Sequence, residues 1–340
     1  MTAANLLLVV MVGGLTAYAL LAGADFGGGV WDLLARGRDA ADQRRLISAS
    51  LGPVWEANHV WLIFVLVALF SGFSAAFGVI GSTLALPLLA ALVGIVLRGS
   101  AYVYRAYGGG AAGPDQLWGH VFAVASTITP FALGVTGAAL ATGDLAENDP
   151  TRPLTNPFGL VCGLFAVTVT AFLAAVYLCR DAAALTATEH LVPGLRRRAL
   201  GGALAAGALA AVLLPLLWSH APVVAHRFGE RSVPFAVASA AGGIAALVLL
   251  WRRRFTAARL AAGLAVAGVL WGWAAAQYPD LVVGSATVAS SAAPEANLVA
   301  LLIAIAAGML VIVPSTVLLF RLFSRPDLTD SHQPPSAVHD

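Results

Sequence analysis

The sequence predicts an all-α, polytopic integral membrane protein, and three observations carry that prediction. Of 340 residues, 59% are hydrophobic and 11% charged, about half the charged share of a soluble domain. Several apolar runs reach the roughly 20 residues needed to cross a hydrocarbon core about 30 Å thick. All 19 basic residues are arginine, and most of them fall in alternate loops, the bias that the positive-inside rule expects. The first apolar run, Leu6 to Ala22, does not read as a signal peptide. It lacks a basic leading region and runs into Asp25 without a small-residue cleavage site.

Hydropathy and breaker residues place nine spans near 5–24, 53–72, 75–97, 118–142, 156–179, 199–218, 232–251, 257–276 and 297–320. Together they make one transmembrane domain over 1–323, followed by a polar, Pro-containing tail over 324–340 that is expected to be disordered. Span 2 opens at Pro53, where a missing amide donor is harmless. Only Ser71-Gly72-Phe73-Ser74 separates spans 2 and 3, so an antiparallel hairpin is expected there. Pro157 and Pro234 also stand near helix starts. Pro87, Pro130, Pro215 and Pro314 fall inside spans, where neighbours must satisfy the freed carbonyls. Cys162 and Cys179 share span 5, about 25 Å apart along a helix, too far for a disulfide. Two cysteines alone also cannot close a zinc site. The connecting loops are short, and no tandem repeat is visible.

Arginine counting tests this layout. Alternating the loops puts 16 arginines on one side and only Arg152, Arg227 and Arg231 on the other. By the positive-inside rule, the N-terminus faces out, the C-terminus faces in, and the loop joining spans 1 and 2 is cytoplasmic.

Polar groups at membrane depth concentrate before residue 180, and they are expensive enough to suggest function. The densest stretch is Pro53-Val54-Trp55-Glu56-Ala57-Asn58-His59-Val60-Trp61, at the start of span 2. Glu56 and His59 can share a helical face at i and i+3. Asp25, in Gly23-Ala24-Asp25-Phe26-Gly27-Gly28-Gly29, closes span 1 in the same leaflet, so the two acids and the imidazole could form a proton uptake point. The glycines here read as close helix packing, because no strand or lysine gives them a phosphate-binding context. Arg98 and Arg105, ending span 3, could pair with Asp25 and Glu56 or simply anchor the interface. Trp118-Gly119-His120, then Ser126, Thr127 and Thr129, add polar groups to span 4. These hydroxyls could extend a water chain or satisfy carbonyls near Pro130. Glu56-x-x-His59 matches half of a di-iron carboxylate motif, but the second copy is missing. A haem held between His59 and His120 would need those helices to face each other, which the sequence does not establish. Glu56 could also be an acid sitting favourably at a helix N-terminus.

At these residues the chain resembles subunit II of the cytochrome bd-type quinol oxidases. The likeness rests on Gly23 to Gly27, Pro53 to Leu62, Arg98-Gly99 through Arg105, Asn156-Pro157-Phe158-Gly159-Leu160, Tyr278-Pro279, and Pro314 with Arg321 and Phe323. The resemblance implies two four-helix bundles plus a peripheral helix, without haem ligands, in the inner (cytoplasmic) membrane of a prokaryote. It implies a partner, subunit I, that holds haem b and haem d, oxidises quinol and reduces oxygen to water. It also implies that Asp25 and Glu56 belong to a proton path, with Trp55, Asn58 and Trp61 in supporting positions and His59 a candidate member. Val103 stands where the family often has a glutamate, and His59 where it often has glutamine. Membrane lipids, the quinol pool and small accessory subunits are the other partners this implies; a structural quinone in this subunit is compatible with it, and no nucleic acid is expected. The competing classes are a secondary transporter with a midplane site, which should carry polar residues in both halves, and a purely structural scaffold, in which Glu56 is dispensable.

Overall fold

The computed structural model describes residues 2–51, 55–107, 114–145 and 149–323. Pro53 and the 324–340 tail lie outside the described residues, as do the side chains of Trp55 and Glu56.

The chain is almost wholly helical, in this order. α1 (Ala3–Leu33) is capped by Thr2, whose hydroxyl accepts from the Asn5 amide. A short α2 (Ala40–Leu51) precedes α3 (Trp55–Gly72), α4 (Ser74–Thr83), α5 (Ala85–Tyr107) and α6 (Pro114–Thr142). α7 (Arg152–Thr155) is a single turn before α8 (Pro157–Ala184). Pro157 is the first residue of α8, and the Asn156 side chain accepts from the Phe158 amide, so proline and N-cap act together. A 3₁₀ turn (Thr186–Leu191) leads into α9 (Val192–His220), and α10 (Pro222–Arg227) with a π-helical turn (Phe228–Ser232) leads into α11 (Val233–Trp251). α12 (Phe255–Gln277) is followed by an antiparallel pair of short strands, β1 (Asp280–Val282) and β2 (Ala286–Thr287), then α13 (Val288–Ser291) and α14 (Glu295–Phe323).

Among the described residues, eight helices are long and apolar enough to cross a membrane, and nine spans result if the bent pair α3–α4 is counted as one. That bend corrects the expected hairpin of spans 2 and 3. At Phe73 the chain turns through 117° into α4, and a second break at Leu84 precedes α5. Phe73 and Leu84 are both fully buried and pin the two corners. Pro87, expected inside span 3, instead stands in the first turn of α5, where its missing N–H breaks no helical bond. α3 therefore packs on α1 and α14, while α5 packs on α6.

The packing divides into two four-helix bundles. α1, α3, α5 and α6 form the first, tied together by Tyr18, Phe26, Trp61, Leu62, Ile95 and Leu133. α8, α9, α11 and α12 form the second. α1 and α6 press on α8 to join them, and α14 lies against α1 and α3 at the edge. Much of the outward surface is apolar, with Leu310 78% and Ile303 65% exposed on α14. In a soluble protein such a surface would be a liability, whereas in a bilayer it is the lipid-facing side. The arginine-rich ends of α1, α5, α8, α11 and α14 share one face with α2. The strand pair, α4, α7, α10 and α13 cover the other.

Candidate functional site

The polar residues of the first bundle converge on α1. Asp25 is only 3% exposed and accepts a hydrogen bond from Asn58 Nδ2 on α3 at 2.6 Å. Burying a carboxylate this deeply is costly unless its charge finds partners. Arg98 on α5, also 3% exposed, is close enough to act electrostatically on Asp25 and Tyr18, though without direct ion-pair contact with either. Its guanidinium lies over the Phe26 ring at 5.0 Å and the Phe122 ring at 5.3 Å, a cation–π setting that eases its burial.

A second acid follows one step along the same helix face. Asp25, Gly29 and Asp32 stand at i, i+4 and i+7 on α1, so they line up toward its C-terminal end. Asp32 is 4% exposed and receives Arg105 Nη1 at 3.2 Å and Nη2 at 3.5 Å, with Arg44 Nε of α2 at 3.8 Å. Arg98 and Arg105 are likewise seven residues apart on α5, and both lie over Phe122, the second also at 5.3 Å. Between the two acids, α6 brings Ser126 against Gly29, where an added Cβ would meet the Ser126 hydroxyl at 2.3 Å. The result is a polar seam between α1, α5 and α6 that runs from Asp25 to the arginine-rich face.

The glycines beside Asp25 do what packing requires. A Cβ on Gly27 would fall 1.9 Å from the Thr170 carbonyl oxygen of α8, so only glycine lets the two bundles meet there. Trp31 fixes the same contact one turn on, its indole donating to the Ala171 carbonyl at 2.7 Å.

The residues singled out from sequence have different places in the structure. Asp25, Asn58 and Arg98 come together as a cluster. Arg105 does not pair with Asp25; it pairs with Asp32, an acid that lies beyond a span 1 read as ending at residue 24. The signal was present: Asp32 lies one heptad from Asp25 in a run that stays helical to Leu33. His59 sits with its ring against Tyr18 and Phe26, each at 6.1 Å in edge-to-face geometry, and Trp61 packs beside Phe64 at 6.4 Å. Glu56 occupies the first turn of α3, two residues before the asparagine that holds Asp25. Thr127 and Thr129 donate to the Ala123 and Ala125 carbonyls one turn back, at 2.9 Å each.

Among the described residues, no three His, Cys, Asp or Glu side chains come together as a metal cluster. α3 and α6 share little direct contact, and His120 is exposed near the start of α6. His59 and His120 therefore do not fit a common haem.

Comparison with known proteins matches this architecture. The family model described as cytochrome bd terminal oxidase subunit II covers residues 3–323. The chain is 31% identical over 131 residues to the cytochrome bd ubiquinol oxidase subunit 2 of Bacillus subtilis (strain 168), covering 37% of this chain and 36% of that protein. It is also 31% identical over 87 residues to a second protein of that strain, provisionally named a cytochrome bd menaquinol oxidase subunit II, over 26% of this chain and 25% of the other. The aligned stretches thus span about a quarter to a third of these relatives. A solved structure of bd oxidase from Geobacillus thermodenitrificans superposes with a TM-score of 0.77 at 25% identity, covering 95% of this chain and 99% of that one. The chain is a multi-pass protein of the bacterial inner membrane. With its helical order, its paired bundles and a match running from Ala3 to Phe323, it belongs to the cytochrome bd terminal oxidase subunit II family.

Proposed function

We propose that this chain is the second subunit of a bd-type quinol oxidase and carries a proton route from the cytoplasm toward its haem-bearing first subunit. The reading rests chiefly on one observation: Asp25, buried inside the first bundle, is held by Asn58 at 2.6 Å beside the buried Arg98. Haem held in the first subunit supplies the electron transfer from quinol to oxygen, so this chain's part is to hold and pass protons. The arginine bias assigns the arginine-rich face to the cytoplasm. Protons then enter near Asp32 and Glu56. The amide of Asn58 occupies one oxygen of Asp25, Oδ2, and leaves Oδ1 to take up a proton. Arg98 supplies the counter-charge whenever Asp25 is ionised.

Further support comes from polar atoms that the protein leaves unpaired along the seam. Tyr18 Oη, Asn58 Oδ1, Arg98 Nε and Ser126 Oγ are buried without a hydrogen-bond partner among the described residues. Buried polar atoms are normally satisfied by protein or by water, so this seam has the polarity to order water. The transporter reading is weaker, because the second bundle offers no comparable polar site.

The experiment is Glu56→Gln in the purified oxidase, with oxygen consumption and proton uptake measured together. The proposal expects both to fall while haem spectra and subunit assembly stay normal. Full activity with normal uptake would sink the assignment of Glu56.

A further inference from the structure

The second bundle holds a feature that the proton route does not use. α9 packs on α8 and α11 on α12, but α9 and α11 touch each other little. Between them lies a cavity of about 580 Å³, whose lining includes Phe165, Phe172, Gly207, Gly243, Val266 and Trp273. Leu214 on α9 and Ile244 on α11 also line it and are 48% and 63% exposed, so it opens sideways between the two helices. Gly207 and Gly243 face open space, since a Cβ at either would meet nothing within 4 Å. Gly242, by contrast, serves close packing: a Cβ there would come within 2.8 Å of the Ala265 amide nitrogen.

Along α9 the lining runs from Ala203 to Leu217, about 21 Å at the helical rise per residue. That is well over half of a hydrocarbon core about 30 Å thick. Protein interiors do not keep apolar voids of this size, and water needs several polar partners to fill one. Among the lining residues, Cys162, Ser239 and Trp273 carry polar side-chain atoms. The Ser239 hydroxyl already donates to the Ala265 carbonyl at 2.8 Å. What fills the slot is therefore hydrocarbon.

The arginine-rich face lies just beyond the slot's lining, with Arg197 six residues before Ala203 on α9 and Arg252 five after Leu247 on α11, and it indicates whose hydrocarbon it is. Arg196 ties α9 to the end of α11, donating from Nε to the Leu250 carbonyl and from Nη2 to the Trp251 carbonyl, both at 2.9 Å. Around that tie, Arg197, Arg252, Arg253 and Arg254 are exposed. Among the described residues none of these four has an ion pair. Arg253 takes a φ of 56°, a left-handed position at a helix C-terminus that favours glycine. The turn thus places a cation where the backbone would prefer no side chain. Free guanidiniums beside the exposed Trp251, at the level of the lipid headgroups, suit a phosphate.

We propose that one acyl chain of an anionic phospholipid occupies the slot between α9 and α11, its phosphate held by Arg197, Arg252, Arg253 and Arg254. The test is native mass spectrometry of the whole purified oxidase complex, with quinones and phospholipids extracted from the same sample. The wild type is expected to keep an anionic phospholipid through detergent exchange, and the slot-filling Gly243→Phe variant is expected to lose it. Replacing Arg252, Arg253 and Arg254 together by Gln should abolish the preference for added phosphatidylglycerol over phosphatidylcholine. Unchanged lipid in Gly243→Phe overturns the proposal, as does loss of a quinone in place of a phospholipid. If Gly243→Phe does not assemble, the arginine variant decides: an intact phosphatidylglycerol preference there overturns it equally.

Discussion

A carboxylate inside a membrane bundle is tolerated only where something answers its charge, and Asp25 is answered from two other helices. Asn58 donates to it at 2.6 Å, and Arg98 faces it from α5 between two aromatic rings. Removing one partner of a buried charged set leaves the other uncompensated, at a cost of about 3–5 kcal/mol. Arg98→Leu should therefore sharply reduce the amount of assembled oxidase in membranes, and adding Asp25→Asn to it should restore part of the loss. Wild-type levels in Arg98→Leu alone would show that the two charges do not depend on each other. These residues were legible in the sequence because a polar atom in an apolar run is conspicuous for its cost. Their pairing was not legible, because residue spacing does not give the rotation of one helix against another. Asp32 shows this most clearly: it reads as a loop residue until α1 is seen to continue to Leu33, which brings it to Arg105.

Helix packing turns these single contacts into a seam. α1 presents acids, and α5 presents arginines, at the same seven-residue interval, so each helix reinforces the register of the other. A double-mutant cycle of Asp32→Asn and Arg105→Gln should show coupling on the order of 1 kcal/mol in the thermal stability of the complex. Strict additivity would place the two side chains in independent roles. At this scale the sequence misjudged one connection. The four residues Ser71 to Ser74 suggest a hairpin, whereas the chain bends by 117° and spends ten residues on α4 before α5 begins. The proline at 87 carried the missing information, since a helix running from 75 to 97 would have lost a backbone bond at Pro87. The strand pair after α12 could not be foreseen either, as it is only three and two residues long.

Two bundles share the work unevenly: the first gathers the buried acids and the second encloses an apolar slot. The composition and the 16-to-3 arginine split carried the membrane assignment and the layout of spans. The division into bundles depends on which helices touch, which hydropathy does not encode; the family resemblance implies it, and the packing bears it out. The proposed orientation predicts that, in a background with Cys162 and Cys179 replaced by Ser, a cysteine at Asp149 reacts with a membrane-impermeant thiol reagent added to intact cells with the cell wall removed. A cysteine at Arg253 should react only after the membrane is opened, and the reverse pattern would invert the topology. The central claim is that protons bound for the oxygen-reducing partner pass through Asp25. It is tested most directly by stopped-flow proton uptake and oxygen consumption in the purified complex carrying Asp25→Asn. The account predicts that both, counted per haem-containing complex, fall by about tenfold or more while the haem spectra of that complex match the wild type. Wild-type uptake and turnover in that variant would contradict it.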